Sequence, residues 1–200
     1  MTKTGDLGEP TSPDGKNVLI PPSRGYWREW LASNTDRHEG LWVVYRKKSS
    51  DLDGPLYDDL VEEALCFGWI DSTVRSLDDG RFARLFTPRK PQSIWSAVNK
   101  RRLAHLIASG RMTERGLRVI EVAKANGSWE QLDSVERAEV PDDLAEAVEA
   151  AGAREAWDSF PAGARKQMLW QVVSAKRPDT RQRRMDKIVT EAQAGRRASG

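Results

Sequence analysis

Apolar residues recur along this chain with two alternating periods. From Gly25, the residues Tyr26, Trp27, Trp30 and Leu31 repeat at helical spacing, and Ser33-Asn34 followed by Gly40 offers a stop. Leu41-Trp-Val-Val-Tyr45 is a continuous apolar run ending in Arg46, Lys47 and Lys48, the pattern of a buried strand leaving toward solvent. Tyr57 to Phe67 returns to the helical period. Leu60, Val61, Ala64 and Leu65 share one face, Asp58 and Asp59 sit in the positive first turn, and Gly68 lies just beyond the end. Trp69, Ile70 and Val74 begin a strand, Asp78-Asp79-Gly80 signals a hairpin turn, and Arg81 to Phe86 alternates with period two as the returning strand.

Pro88 and Pro91 interrupt the alternation. Ser93 is then predicted to cap a helix carrying Ile94, Trp95, Val98, Leu106 and Ile107, which breaks at Ser109-Gly110 before another helix from Thr113 to about Ala125. Residues 121–159 hold eleven Asp or Glu against three Lys or Arg, mostly in a linker and a helix opened by Pro141. Three further helices are predicted, around Arg154 to Ser159, from Pro161 to about Ala175 and from Pro178 to about Ala194. The expected class is α+β: a small antiparallel sheet with packed helices, followed by a helical carboxy-terminal extension. Expected boundaries are a flexible amino-terminal segment over 1–23, an α+β core over 24–128, a linker over 129–139 and a helical domain over 140–195.

Eight tryptophans among 200 residues supply anchors that a disordered chain would lack, although 31% of the residues are charged. No apolar run approaches the roughly 20 residues that span a bilayer, and the sequence MTKTGDLGEPTSPDGKN has no secretory character. A cytoplasmic protein without membrane insertion is expected. The single cysteine, Cys66, excludes an internal disulfide and lies in an apolar run that reads as core. His38 and His105 are far apart and lack neighbouring ligands, so no metal is expected. No phosphate-binding glycine loop, nucleophile elbow or H-E-x-x-H pair is present, and no cofactor is expected.

The net charge of +2 hides a segregation. Residues 81–113 carry eight cations (Arg81, Arg84, Arg89, Lys90, Lys100, Arg101, Arg102, Arg111) and no acid, so the remainder sums to 2 − 8 = −6. An unpaired patch of this kind suits an anionic ligand, whereas pairing with the acidic 121–159 stretch makes it structural. Pro88 and Pro91 hold its central loop extended, and free amides at a helix start near Ser93 would favour negative charge. Arg89 adds a planar fork and Lys90 a point charge, so a phosphate or carboxylate is a sensible guest; the same pattern also occurs as ordinary solvated structure.

Asp71 is a candidate general base, an orienting partner for an arginine, or a structural salt-bridging residue. Ser72 has no histidine near it in sequence to activate it. Trp95 is a candidate stacking surface, while the other tryptophans read as core anchors. In the basic segment Lys176 to Met185, Arg181 and Arg184 share a helix face with Ile188, which fits a solvated amphipathic face or a nucleic-acid contact.

The blocks Glu63-Ala-Leu-Cys-Phe-Gly-Trp-Ile-Asp-Ser72, Phe86-Thr-Pro-Arg-Lys90 and Ser93-Ile-Trp-Ser96 with Asn99 resemble the YdeI/OmpD-associated family, sometimes labelled bacteriocin-protection proteins. Gly110-Arg-Met-Thr113 with Gly116, and Ala175-Lys-Arg-Pro178 followed by Thr180-Arg181 and Arg183-Arg184, are similar to the same family, over roughly Trp27 to Ala194. The resemblance implies a cytosolic α+β module with a helical carboxy-terminal extension, named after phenotype and association instead of an enzymatic activity.

Three functions follow as expectations. The first is a stress- or bacteriocin-tolerance-related binding protein whose basic cleft of Asp71, Arg84, Thr87, Arg89, Lys90, Ser93, Trp95 and Asn99 holds an anionic small molecule or peptide. The second is a small hydrolase or transferase with Asp71 as base and Arg89 with Lys90 stabilising developing charge. The third is a nucleic-acid binder using residues 81–113 and 176–187.

Overall fold

A computed structural model of the chain describes residues 17–198. The amino-terminal segment expected to be flexible lies, up to residue 16, outside the described residues. The chain divides into two compact units, one running to Ser93 and resuming over Val98–Asn126, the other comprising Ile94–Ala97 and the chain from Gly127. Among the described residues, no helix is long and apolar enough to cross a membrane.

The first unit is built from β1 (Val18–Leu19), α1 (Arg24–Ser33), β2 (Leu41–Arg46), α2 (Tyr57–Cys66), β3 (Trp69–Ser76), β4 (Arg81–Pro88), most of α3 (Ala97–Ala108) and α4 (Glu114–Ala125). The sheet runs β1-β2-β4-β3. Its three longer strands are antiparallel, and β1 adds a parallel edge pairing through Val18 and Leu19 to Trp42 and Val43. Helix ends follow local chemistry. Ser23 Oγ accepts from Tyr26 N, Asp59 Oδ2 accepts from Leu56 N, and Thr113 Oγ1 accepts from Gly116 N while donating to Cys66 O at 2.6 Å.

One predicted helix start is corrected. Ser93 does not cap α3: its hydroxyl accepts from Lys90 N at 3.0 Å and its amide donates to Lys90 O, closing a turn after Pro88. α3 begins at Ala97, whose amide donates to Glu136 Oε1 at 3.4 Å. The first amide of the helix thus meets the chain's own carboxylate, and the anion-attracting amides expected near Ser93 are absent from that position.

Aromatic packing fills the space between α1, α2 and the sheet. Trp27 meets Phe86 at 5.5 Å and Trp69 edge-on at 6.5 Å between ring centroids, stacks on Trp30 at 5.3 Å, and donates from Nε1 to Leu60 O at 3.0 Å. On the other sheet face Trp42, Val44 and Ala83 form a smaller cluster, over which the Arg75 guanidinium lies 4.1 Å from the Trp42 ring centroid. Cys66 is buried, and burial pushes its thiol pKa up, so it packs as a small apolar residue.

An ion cluster ties α1 to α2 and to the loop before α4. Glu63 is 2% exposed, yet Arg24 Nε and Arg28 Nη1 each donate to it at 2.6 Å, and Arg111 Nη2 is a third donor. Arg24 also pairs with Asp59 at 2.9 Å and Glu62 at 2.6 Å. Burial acts to raise the Glu63 pKa, but the hydrogen bonds from Arg24 and Arg28 and the charges of Arg111 and Arg24 outweigh it and hold the carboxyl below its ordinary value.

The second unit contains α5 (Asp133–Glu136), α6 (Asp142–Ala150), α7 (Arg154–Ser159), α8 (Ala162–Val173) and α9 (Pro178–Gln193). α5 lies inside the stretch read as linker; four residues are too few for a period to show. Pro141 and Pro161 stand at the caps of α6 and α8, and Pro178 opens α9. Leu144, Trp157, Leu169, Val172, Met185 and Ile188 lead the core. The acids of this region pair within the unit: Arg181 Nη2 donates to Asp143 at 3.0 Å, Lys166 to Glu136 at 3.1 Å and Arg154 to Asp158 at 2.7 Å.

Two stability outcomes follow. Glu63→Gln leaves three guanidiniums without their shared charge and should lower stability by about 3 kcal/mol in urea unfolding, since breaking a buried pair strands its partners. Because the folded pKa of Glu63 is depressed, its contribution is present above the unfolded value and is lost as pH falls through the folded one. Gly116 and Gly163 should respond oppositely to alanine. A Cβ at Gly116 would lie 2.2 Å from the Cys66 carbonyl oxygen, whereas one at Gly163 meets nothing within 4 Å. Gly116→Ala should cost about 1–3 kcal/mol by overpacking, and Gly163→Ala should add roughly 0.5 kcal/mol.

Candidate functional site

β3 and β4 position the first candidate residues. Asp71 pairs in register with Phe86, and a bulge between Asp71 and Val74 shifts the ladder so that Val74 opposes Arg84. Arg84 and Phe86 are two apart on β4 and so share a sheet face, which brings the Arg84 and Asp71 side chains together. Arg84 Nη1 donates to Asp71 Oδ2 at 2.6 Å, and the Tyr57 hydroxyl from the start of α2 donates to the same oxygen at 2.9 Å. The Arg84 guanidinium lies 4.4 Å from the Tyr57 ring centroid, and that of Arg102, which pairs with Asp58 at 2.6 Å, lies 5.8 Å from it.

The Asp71 side chain is 10% exposed, and one of its oxygens accepts both hydrogen bonds. Burial, followed by the Asp71 charge and hydrogen bond, pushes the Tyr57 phenol up to about 12. Tyr57 is thus a neutral donor at physiological pH.

Arg89 follows β4 and is 8% exposed, with its amide donating to Gly68 O at 2.9 Å. Burial pushes its guanidinium down to about 10 while the Asp71 charge opposes the shift, so it stays protonated at neutral pH. With Pro91, Arg115, Arg118, Val119 and Val122 it lines a pocket of about 230 Å³. The four α4 residues recur at positions i, i+3, i+4 and i+7 and therefore share one helix face.

The remaining sequence candidates are placed as follows. Thr87 pairs with Ile70, and its methyl packs against Gly40, where a Cβ would lie 2.5 Å from it. Lys90 and Ser93 form the turn already described, and Lys90 is exposed. Asn99 Oδ1 accepts from Arg102 at 3.3 Å. Trp95 is corrected as a stacking surface: it is 1% exposed, belongs to the second unit and packs on Trp129 at 5.2 Å. The structure therefore joins Asp71, Arg84 and, through its charge, Arg89, and leaves Trp95 in a core.

Tyr57, Arg115 and Arg118 were missed by sequence reasoning, and Arg102 was read only as one of the eight cations of 81–113. The signal for the two arginines was the α4 face of Arg115, Arg118, Val119 and Val122, which mixes cations with valines beside the buried Gly116, Ile120 and Ala123. Of the eight cations in 81–113, Arg81, Arg84, Arg102 and Arg111 pair with acids between Asp58 and Asp78. Among the described residues, no group of three His, Cys, Asp or Glu is placed to hold a metal ion.

Residues 19–119, half of the chain, match a family model described as a domain of unknown function (DUF8412). Residues 137–195 match a second model, described as bacteriocin-protection, YdeI or OmpD-associated. The chain belongs to the DUF8412 family and carries a YdeI/OmpD-associated carboxy-terminal segment. The blocks from Glu63 to Ser96 fall in the DUF8412 part, and Ala175 to Arg184 fall in the YdeI/OmpD-associated segment. No curated protein and no solved structure matches the chain.

Asp71→Asn removes the charge that faces Tyr57 but leaves its burial. The phenol pKa should fall from about 12 toward the ordinary 10, read as an earlier rise of phenolate absorbance on alkaline titration. The stability held by neutral Tyr57 is present below pH 10 and disappears as pH rises through 12. An unmoved titration in the variant would contradict the coupling.

Proposed function

We propose that this chain is a cytosolic binding protein, related to stress or bacteriocin tolerance, that holds an anionic small molecule or peptide group against Arg89. The observation that carries the reading is the lining of the Arg89 pocket: Arg89, Arg115 and Arg118 with Pro91, Val119 and Val122, and no carboxylate among those residues. A buried guanidinium that remains charged forms strong, directional hydrogen bonds to a carboxylate or phosphate. A volume of about 230 Å³ lies below the common range of roughly 300–1,000 Å³ for ligand pockets, which favours a small anion with a short apolar body.

Asp71 favours this site by opposing the burial that would strip the proton from Arg89, and its own charge is offset by its pairing with Arg84. The commitment of Asp71 to Arg84 and Tyr57 favours binding over a hydrolase or transferase that would need Asp71 free to take a proton. Pairing of Arg81, Arg84, Arg102 and Arg111 with nearby acids likewise weakens the nucleic-acid reading of residues 81–113. The tolerance role comes with the description of the family model that matches residues 137–195. The cytosolic placement rests on a lone buried thiol, which gives the chain no internal disulfide to form.

A thermal-shift screen of the full chain against short carboxylates and phosphorylated metabolites tests the site. A stabilising compound should bind about tenfold more weakly, roughly 1.4 kcal/mol, in Arg115→Ala, a change on the α4 face that spares the core. Arg89→Ala should abolish the shift. No stabilising anion, or one that shifts Arg115→Ala and Arg89→Ala as it shifts the parent, discards the proposal.

A further inference from the structure

The helical unit holds a second concave surface that the Arg89 pocket does not involve. α8 and α9 border a cavity of about 400 Å³ lined by Trp170, Gln171, Ser174, Arg183, Arg184 and Lys187. Three of these residues are cations, one is an indole, two are neutral and polar, and none is a carboxylate. The basic segment Lys176 to Met185 thus supplies two of the cations that border this cavity, Arg183 and Arg184.

The cations divide into two kinds. Arg184 Nη1 donates to Gln171 O at 2.5 Å and to Ser174 Oγ at 3.2 Å, so it is committed to the carboxy-terminal turn of α8. There it offsets the negative end of the helix, which would otherwise repel an anion. Arg183 and Lys187 stand four residues apart on α9, exposed on one face, where like charges disfavour each other until an anion sits between them. Lys187 also feels Glu191, which is paired with Arg196 at 2.9 Å, leaving Arg183 as the principal anion contact.

The other half of the lining suits a flat ring. Trp170 is partly buried and packs on the core of the unit while also facing the cavity. Gln171 Nε2 is buried and has no hydrogen-bond partner among the described residues, so an acceptor on a bound molecule would satisfy it. Simple phosphate would use only Arg183 and Lys187, and a neutral ring only Trp170 and Gln171.

We propose that the α8–α9 cavity binds a nucleotide, free or as part of a single strand, with the base on Trp170 and within reach of the Gln171 amide and the phosphate on Arg183 and Lys187. Base–indole stacking is indifferent to base identity, so the site selects the class of ligand before its sequence.

Calorimetric titration of the full chain with adenosine monophosphate, inorganic phosphate and an oligothymidylate tests this. The mononucleotide should bind at least tenfold tighter than inorganic phosphate, and Trp170→Leu and Arg183→Ala should each weaken it about tenfold. Arg115→Ala, in the other unit, should leave it unchanged, which separates this site from the Arg89 reading. An oligonucleotide that binds tighter than the mononucleotide, and loses affinity steeply with salt, identifies a single strand as the source; equal affinities identify the free nucleotide. No binding of either form, equal affinity for inorganic phosphate, or binding indifferent to both substitutions overturns the proposal. Arg183→Glu, an exposed change, carries the test should Trp170→Leu fail to fold.

Discussion

Glu63 is a carboxylate taken almost completely out of water, and Arg24, Arg28 and Arg111 are what make that tolerable. An isolated charge at such depth costs several kcal/mol. Its partners come from α1 and from the loop before α4, so the placement of α2 is tied to both. The Trp27 bond to Leu60, less than one turn before Glu63, fastens the same interface from its apolar side. The sheet and the α1–α2 pair are thereby held as one framework.

That framework sets the polar site. With α2 fixed, its first residue, Tyr57, reaches the Asp71 carboxylate, and the bulge in β3 turns Asp71 and Arg84 toward it. Thr113, Gly116 and Cys66 seat α4 against the end of α2 by a backbone approach too close for any Cβ. The seating carries Arg115 and Arg118 to the pocket of Arg89. Structural ion pairs and candidate ligand contacts overlap, since Arg118 both pairs with Glu114 at 3.2 Å and borders the open volume beside Arg89.

The two family matches divide the chain into a DUF8412 part and a YdeI/OmpD-associated part, and each contains a concave, arginine-lined surface of its own. In the second compact unit the acids of α5, α6 and α7 pair with Lys166, Arg181 and Arg154, and Arg183 borders a cavity. Charge segregation along the sequence therefore resolves into local pairing plus two residual basic concavities.

Much of the fold was legible in the residues alone. Helical periods located α1, α2 and α4, the apolar run Leu41–Tyr45 located β2 and the twofold alternation of Arg81 to Phe86 located β4, while Asp78-Asp79-Gly80 and the prolines at 141, 161 and 178 marked turns and starts, because these depend on neighbours within a few positions. Asp71 and Arg84 were also legible as a possible pair, being on successive strands of a hairpin. The start of α3 was not, since it turns on Glu136, far along the chain, and the burial of Trp95 depends on Trp129. Nor could spacing reveal that Arg115 and Arg118 would meet Arg89, or which acids would neutralise the 81–113 cations. Periodicity reports which face of an element is apolar; only the packed chain brings distant charges within a few ångströms, and Coulomb energies are decided at that range.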